Sequence, residues 1–196
     1  MKFNDYFNEI PYLETERLIL RPFCREDMNS YLEFMQNPEV HRFLGGGVNI
    51  FSEEPHISNW LNNINNRLLK SKTAFTWCVE FKREKRVVGR VDLGGFVKKS
   101  MAELSYYFSA EYWGRGFATE AVKEIVRFGF DDLKLHRIQA MVMPKNIASL
   151  NVLRNAGFQE EGVLRKYYFG KEFHDAVMLA TIREENLNEK EKYSTF

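Results

Sequence analysis

Two glycines, Gly114 and Gly116, stand between a strand-like segment and a helical segment near the middle of the chain. Glycine permits a left-handed backbone and lets a ligand approach the main chain closely. The first N–H groups of a helix beginning at Phe117 would have no partner within the helix, and they would lie at the positive end of its dipole. The pattern therefore predicts a site for phosphate or pyrophosphate, with a tight turn that binds nothing as the alternative.

The order of residues around these glycines excludes the two commonest phosphate loops. A Walker loop needs Lys and Ser or Thr after its last glycine, whereas Phe117 follows Gly116. A dinucleotide fingerprint needs a third glycine where Thr119 stands. The run from Trp113 to Ala118 resembles instead the pyrophosphate loop of the GNAT acetyltransferases, Arg/Gln-x-x-Gly-x-Gly/Ala, although Trp113 departs from the usual first residue. The longer run Tyr-Trp-Gly-Arg-Gly-Phe-Ala-Thr-Glu-Ala is similar to RimJ/RimL-type members of that family.

The sequence resembles the same family at two further places. Residues Glu14 to Pro22 are similar to the family's opening strand. Asn146 to Ser149, followed by Ala156-Gly157-Phe158, resembles the family's Asn-x-x-Ser/Ala…Gly-Phe segment. Because Asn146 is also a good helix cap, a plain capped helix is the alternative at this second place.

Hydrophobic periodicity predicts the element order β-α-α-β-β-β-α-β-α-β-β. The predicted strands span residues 13–22, 75–81, 87–93, 101–109, 136–143, 163–169 and 173–182, and the predicted helices span 25–36, 52–70, 117–133 and 146–157. This order resembles the GNAT fold, an α/β (α+β) fold with a central mixed, mostly antiparallel sheet that is splayed between two strands and flanked by helices on both faces. We expect a single N-acetyltransferase domain over residues 1–196, with its core at about 13–182 and a polar C-terminal tail at 183–196.

The resemblance implies that acetyl-CoA is the cosubstrate and that its pantetheine arm lies where strands 101–109 and 136–143 splay apart. Main-chain groups of Tyr106 and Phe108 would bind the arm, and a free N–H of Tyr106 or Tyr107 would polarise the thioester carbonyl. Main-chain N–H groups of the loop would bind the pyrophosphate, and Asn146 would hold the pantetheine or the sulfur end. The residues that we expect to bind the cosubstrate are Tyr106, Tyr107, Phe108, Trp113, Gly114, Arg115, Gly116, Phe117, Ala118, Thr119, Asn146 and Ser149.

Amide formation needs a base for the acceptor ammonium and an acid for the departing thiolate. Glu103 lies on the strand beside the expected thioester, and Glu161 stands where RimL-type enzymes have their proposed base; we favour Glu161, with Glu103 as the alternative. Many relatives carry a tyrosine acid at the position of Leu153, so we assign the acid role to Ser149, the nearest hydroxyl on that helix.

Composition limits the other classes of function. With 28 basic and 27 acidic residues the net charge is +1, which argues against a nucleic-acid binder that relies on a strongly basic surface. The two cysteines, Cys24 and Cys78, are expected to be buried free thiols, and the four histidines show no metal-ligand spacing, so we expect no metal. No apolar run approaches the roughly 18 residues of a membrane span, and the start of the chain lacks a signal peptide's apolar region. We expect a cytoplasmic monomer or homodimer without a nucleic-acid or membrane partner.

The predicted function is acetyl-CoA-dependent transfer of an acetyl group to a primary amine, with the α-amino group of a protein such as a ribosomal protein as the acceptor. The alternatives are a small amine (a polyamine or an aminoglycoside), a non-catalytic acyl-CoA-binding module, and a generic nucleotide-binding domain. Acids near the predicted final hairpin would favour a cationic acceptor; they are Glu160, Glu161, Glu172 and Asp175.

Overall fold

The computed structural model describes residues 2–44, 54–169 and 171–184. Parts of three sequence predictions lie outside these ranges. They are the predicted loop at Gly45–Gly47, the helix start at Ser52, and the tail from residue 185 onward.

Eight strands in the described residues form one sheet with the order β1-β2-β3-β4-β5-β6-β8-β7. Their bounds are β1 (Leu13–Glu14), β2 (Leu18–Arg21), β3 (Ala74–Phe81), β4 (Arg86–Val97), β5 (Met101–Phe108), β6 (Arg137–Val142), β7 (Gln159–Phe169) and β8 (Glu172–Ile182). Every neighbouring pair is antiparallel except β5 and β6, which are parallel. That parallel ladder joins only Met101–Glu103 to Arg137–Gln139, so the two strands separate beyond Glu103, as the predicted splayed sheet requires.

Helices cover both faces of the sheet. Within the described ranges they are α1 (Met28–Met35), α2 (Pro38–His41), α3 (Glu54–Asn62), α4 (Leu68–Lys70), α5 (Phe117–Arg127) and α6 (Ile147–Asn155). A π-helical turn, Asn63–Arg67, joins α3 to α4, and another, Phe128–Asp132, extends α5. These two continuous helices correspond to the predicted helices 52–70 and 117–133.

Alternating side chains on the strands build a separate core on each face. On β3, Trp77 packs in the larger core with α5 and its π turn, where its ring meets that of Phe128 edge to face at 5.6 Å. The neighbouring Cys78 points to the other face and packs in the smaller core with α1 and α3. Such burial on both sides of a central strand is the main source of stability for a sheet between two helical layers.

The chain departs from the predicted strand boundaries at two turns. The predicted first strand is two short strands, because the chain reverses at Thr15–Arg17, where the Thr15 hydroxyl accepts a hydrogen bond from the Leu18 N–H at 3.0 Å. Gly94-Gly95 does not end the second hairpin strand as predicted. Gly95 adopts a left-handed φ of 60° at an irregularity in the ladder, and β4 continues to Val97.

Both cysteines are free, but only one is buried as predicted. Cys78 is buried in β3, whereas Cys24 is exposed in the turn before α1. Residues 2–44, 54–169 and 171–184 contain no group of three His, Cys, Asp or Glu side chains arranged to hold a metal ion. Within the same ranges no helix is long and apolar enough to cross a membrane.

Candidate functional site

Two cavities meet at the place where β5 and β6 separate. The loop cavity, of about 440 Å³, is lined by the glycine loop (residues 113–116), the start of α5 and one side of α6. The hairpin cavity, of about 340 Å³, is lined by β5, β6 and Tyr167–Phe169 of the β7–β8 hairpin. Tyr106, Tyr107, Asn146 and Ser149 line both cavities, so a ligand in one can reach a ligand in the other.

The glycine loop has the backbone that the sequence predicts for an anion site. Gly114 and Gly116 are left-handed, with φ of 71° and 80°, and α5 begins directly after Gly116. The N–H of Glu120 makes the first helical bond, to the Gly116 carbonyl at 3.0 Å. The N–H groups before it in the first turn of α5 therefore have no partner within the helix, and this turn lines the loop cavity.

The two arginines at this loop have different positions. The Arg115 guanidinium lies over the rings of Tyr112 and Phe117, at 5.1 and 5.0 Å from their centroids, and Arg115 does not line the loop cavity. Arg17 donates to the Arg115 carbonyl at 2.9 Å and to the Glu120 carboxylate at 2.6 Å. Arg17 thus connects the turn between β1 and β2 to the glycine loop, a contact that the spacing of these residues in sequence does not reveal.

Main-chain groups of β5 alternate between the side that pairs with β4 and the side that faces the gap. The Ser109 N–H donates to Val88 of β4, and residues in an antiparallel ladder alternate between the two sides of a strand. Tyr107 therefore also directs its N–H to β4, whereas Tyr106 and Phe108 direct theirs to the gap. The Phe108 carbonyl on this side accepts a hydrogen bond from the Trp113 indole at 2.8 Å.

Asn146 and Ser149 lie together at the start of α6. The Asn146 side chain accepts a hydrogen bond from the Ser149 N–H at 3.1 Å, so it is the helix cap that its position in the sequence allows. It also lines both cavities, so capping does not exclude the predicted role in binding the cosubstrate.

The structure adds the Tyr106 hydroxyl to the predicted site. It lies 2.7 Å from the Ser149 hydroxyl, and burial raises the pKa of Tyr106 to about 12. The sequence predicts only a main-chain role for Tyr106. Period-two alternation along the strand puts the Tyr106 side chain on the face opposite Glu103. This alternation gives the direction of the Tyr106 side chain, but it does not show that the side chain contacts α6.

Glu103 lines the hairpin cavity and is solvent-accessible from it. It is the one charged side chain among the described lining residues of that cavity. The surrounding protein partly desolvates its carboxylate, and this desolvation raises the pKa of Glu103 above its ordinary 4.5. Burial is the larger cause, and the nearby negative charge of Glu103 the smaller one, of a raised pKa at Tyr167.

Glu161 has a different environment. It is the extra residue of a β-bulge between Glu160 and Gly162, and both of its carboxylate oxygens accept hydrogen bonds from Arg137. These bonds lower the pKa of Glu161. Glu161 lines neither cavity.

The other acids near the hairpin, which were expected to favour a cationic acceptor, also do not line the cavity. Glu160 pairs with Arg154, and Glu172 pairs with His174 at 2.8 Å. Asp175 accepts a hydrogen bond from the Lys166 N–H at 3.0 Å. Neither cavity is lined by any of the three.

A partly buried ion pair lies behind the wall of the hairpin cavity and was not predicted. Arg90 and Asp92 of β4 pair at 2.9 Å, and Asp92 also accepts hydrogen bonds from Thr76 and Ser105. The Arg90 guanidinium lies 5.7 Å from the ring centroid of Tyr107. Since Ser105 and Tyr107 line the hairpin cavity, this network fixes the position of that part of its wall.

Comparison with known proteins places these features in a family. A family model for the acetyltransferase (GNAT) domain matches residues 17–159. YoaA of Bacillus subtilis strain 168, described as an uncharacterized N-acetyltransferase, is 36% identical over 160 residues, which cover 81% of this chain and 89% of YoaA.

Solved structures show the same fold. The ribosomal-protein-S5-alanine acetyltransferase of Vibrio fischeri aligns with a TM-score of 0.75 at 24% identity, over 89% of this chain and 97% of that chain. The spermidine N-acetyltransferase of Vibrio cholerae, solved with CoA and spermine, aligns with a TM-score of 0.73 at 20% identity, over 89% of this chain and 100% of that chain. The family match covers well over half of the chain, including the glycine loop, the splayed strands and α6. The chain therefore belongs to the GNAT family of acetyltransferases and is an N-acetyltransferase.

Proposed function

We propose that this N-acetyltransferase transfers the acetyl group of acetyl-CoA to the α-amino group of a peptide or protein bound in the hairpin cavity. This is the reaction that the RimJ/RimL-type resemblance implies, with a ribosomal protein as one such acceptor. The observation that carries the proposal is the position of Glu103, a carboxylate of raised pKa that lines this cavity on the same strand as Tyr106. Tyr106 in turn lines both cavities, so the proposed base and the acetyl donor would be near each other.

The loop cavity has the features that acetyl-CoA needs. CoA carries a pyrophosphate and an extended arm with amide groups. The first-turn N–H groups of α5 suit the pyrophosphate, and the gap-facing N–H groups of Tyr106 and Phe108 suit the arm. The CoA complex of the Vibrio cholerae enzyme, which shares this fold, supports the assignment. When bound, acetyl-CoA supplies an activated acetyl thioester.

We assign the base to Glu103 rather than to Glu161, which the sequence resemblance favours. An α-ammonium group has a pKa of about 7.7–8.0, and a base with a pKa raised towards that range accepts its proton more readily. Burial raises the pKa of Glu103 in this direction. Arg137 lowers the pKa of Glu161 and occupies both of its oxygens, which makes Glu161 a poorer base.

The hydroxyl pair of Ser149 and Tyr106 supplies the acid in this proposal. The Tyr106 hydroxyl lies 2.7 Å from the Ser149 hydroxyl and donates at 3.1 Å to the Ser149 carbonyl. When Tyr106 donates to the Ser149 hydroxyl instead, the Ser149 proton is left for the sulfur of CoA. The Tyr106 N–H, which faces the gap, is the matching donor for the thioester carbonyl. Tyr106 then contributes through both its main chain and its side chain.

An α-amino acceptor carries one positive charge at the reacting end, and the described lining of the hairpin cavity offers one carboxylate. A polyamine carries several charges, and each buried ammonium without a partner is costly. Fold alone does not choose between them, because the neighbours from Vibrio fischeri and Vibrio cholerae are named for a ribosomal protein and for spermidine. The charge of the cavity is therefore the feature that favours an α-amino group.

Release of free CoA thiol from acetyl-CoA tests this function. We expect release to depend on an N-terminally free peptide and to be slower with spermidine or an aminoglycoside. Glu103→Gln should lower kcat/KM for the peptide by about 10²-fold or more, because a general base typically contributes that much. Glu161→Gln is the matched control and should change it by less than about threefold.

Three outcomes would contradict parts of the proposal. A large loss in Glu161→Gln with little loss in Glu103→Gln would return the base role to Glu161. Tight acetyl-CoA binding without transfer to any amine would indicate an acyl-CoA-binding module. A preference for spermidine would show that the acceptor is a polyamine and not an α-amino group.

A further inference from the structure

The hairpin cavity is strongly aromatic. Six aromatic residues line it, namely Phe43, Tyr106, Tyr107, Tyr167, Tyr168 and Phe169. Three of them are consecutive at the end of β7, and the Tyr167 and Phe169 rings pack edge to face at 6.2 Å. Aromatic side chains supply large apolar contact areas to a ligand.

A bulge in β7 turns two of these rings towards Glu103. The ladder pairs Leu164 with Ala176 and then Tyr167 with His174, so β7 has one extra residue in this interval. Lys166, in the bulge, has a left-handed φ of 52°, and Asp175 holds its N–H. Because the extra residue exchanges the faces of the strand beyond it, Tyr167 and Phe169 lie on the face of the sheet that carries Glu103.

We infer that the acceptor is a primary amine whose neighbouring substituent is bulky and apolar, such as the α-amino group of a peptide that begins with Phe, Leu or Met. In this arrangement Glu103 binds the ammonium, and the rings of Tyr167 and Phe169 contact the adjoining side chain. The inference rests on the proposed function, whose acceptor it specifies. A small arylalkylamine has the same chemistry and is the other possible source.

Acceptors with a small or highly charged first residue should bind weakly in the hairpin cavity. A peptide that begins with Ala or Ser leaves the aromatic wall in contact with water and gains little apolar burial. An acidic first residue meets the negative charge of Glu103, and a second ammonium finds no second carboxylate among the described lining residues. Cation–π contacts with the rings would offset only part of that cost.

The experiment compares kcat/KM at saturating acetyl-CoA for peptides that differ only in the first residue: Phe, Leu, Met, Ala, Ser and Asp. Phenethylamine and spermidine are tested beside them. We expect Phe and Leu peptides to exceed the Ala peptide by about tenfold or more, since the burial of one large apolar side chain is worth at least that factor. Phe169→Ala should reduce the ratio between Phe and Ala peptides while leaving the KM for acetyl-CoA unchanged. Tyr12→Ala removes an aromatic residue that is 72% exposed and lines neither cavity, and should leave the ratio unaltered.

Each result has a defined meaning. Equal or faster reaction of the Ala peptide would overturn the inference but leave the proposed function intact. Phenethylamine reacting as fast as the Phe peptide would support the chemistry and identify a small amine as its source. Spermidine as the best acceptor would overturn the inference, and no transfer to any amine would overturn it together with the proposed function.

Discussion

The two hydroxyl groups of Tyr106 and Ser149 lie 2.7 Å apart where the two cavities meet. If this pair protonates the sulfur, Tyr106→Phe and Ser149→Ala should each lower kcat on the order of 10²-fold with little change in the KM for acetyl-CoA. The double variant should lose little more than either single variant, because the two groups act as one unit. Tyr6→Phe is the control, since its hydroxyl contacts Asp132 and neither residue lines a cavity. Full additivity of the two losses would show that the hydroxyls act independently.

Glu103 gives the reaction a predictable pH dependence. Only its carboxylate form accepts a proton, so kcat/KM should rise with pH through its pKa, which burial raises above 4.5. A fall should follow at the pKa of the acceptor amine, because Glu103 binds the ammonium form and this form is lost as the pH rises through that pKa. When the pH profile of kcat/KM is measured with amines of different pKa, the part that Glu103 controls should stay at the same pH, whereas the part that the amine controls should shift with the amine. Glu103→Gln should remove the part that stays fixed. A fixed limb that survives in Glu103→Gln would belong to another group.

At the scale of elements, the turn between β1 and β2 is held against the glycine loop and the first turn of α5. Glu120 accepts hydrogen bonds from the Thr15 hydroxyl at 2.5 Å and from the Arg17 N–H at 2.9 Å. The Arg17 guanidinium reaches the Arg115 carbonyl and lies 4.4 Å from the Phe117 ring centroid. The arginine therefore fixes the loop whose N–H groups are proposed to bind pyrophosphate.

Arg17→Ala should loosen this loop and raise the KM for acetyl-CoA by about tenfold, since one or two hydrogen bonds to charged groups are lost. The KM for the amine and kcat should change little. Arg127→Ala is the control, because this arginine, of similar exposure, pairs with Glu124 and Asp132 towards the other end of the same helix. An equal rise of both KM values would indicate general disruption rather than a role at the loop.

At the scale of the whole molecule, a cluster of largely buried ion pairs links the sheet to the segment just before α1. Arg21 of β2 bonds both oxygens of Asp27, which lies just before α1, and also Glu80 of β3. Burial raises the pKa of Asp27, but the bonds from Arg21 and from the Cys24 N–H outweigh it and hold the pKa below 3.8. A lowered pKa stabilises the folded state above pH 3.8, and this stabilisation is lost as the pH falls from there through the pKa of the folded state.

Asp27→Asn should therefore lower the free energy of unfolding by about 2 kcal/mol or more at pH 7, because it removes the charge from a buried pair. The difference from the wild type should shrink as the pH falls below 3.8. Denaturant unfolding at several pH values measures both effects. Glu160→Gln is the control and should cost little, since its pair with Arg154 is exposed. A pH-independent loss in Asp27→Asn would point to packing rather than charge.

Local pattern was enough for most elements and for the glycine loop. Helical spacing predicts a helix over residues 117–133, which the structure forms as α5 and the π turn Phe128–Asp132. A glycine at a helix start indicates the left-handed backbone found at Gly116. The pattern could not divide the first strand, because the turn at Thr15 depends on Glu120, more than a hundred residues away. It also could not show that Asp175 would support a bulge beside Lys166.

The sequence by itself determined most of the order of elements and the glycine loop, because periodicity, turn residues and helix starts depend on residues that are close along the chain. It indicated the family through the resemblance of its motifs. Only the tertiary structure decided which side chains share a cavity. It paired Glu161 with Arg137, left Glu103 in the hairpin cavity, and brought Tyr106 to Ser149. The reason is physical, since partners 24 and 43 residues apart are selected by strand register, bulges and helix packing, none of which a local pattern contains.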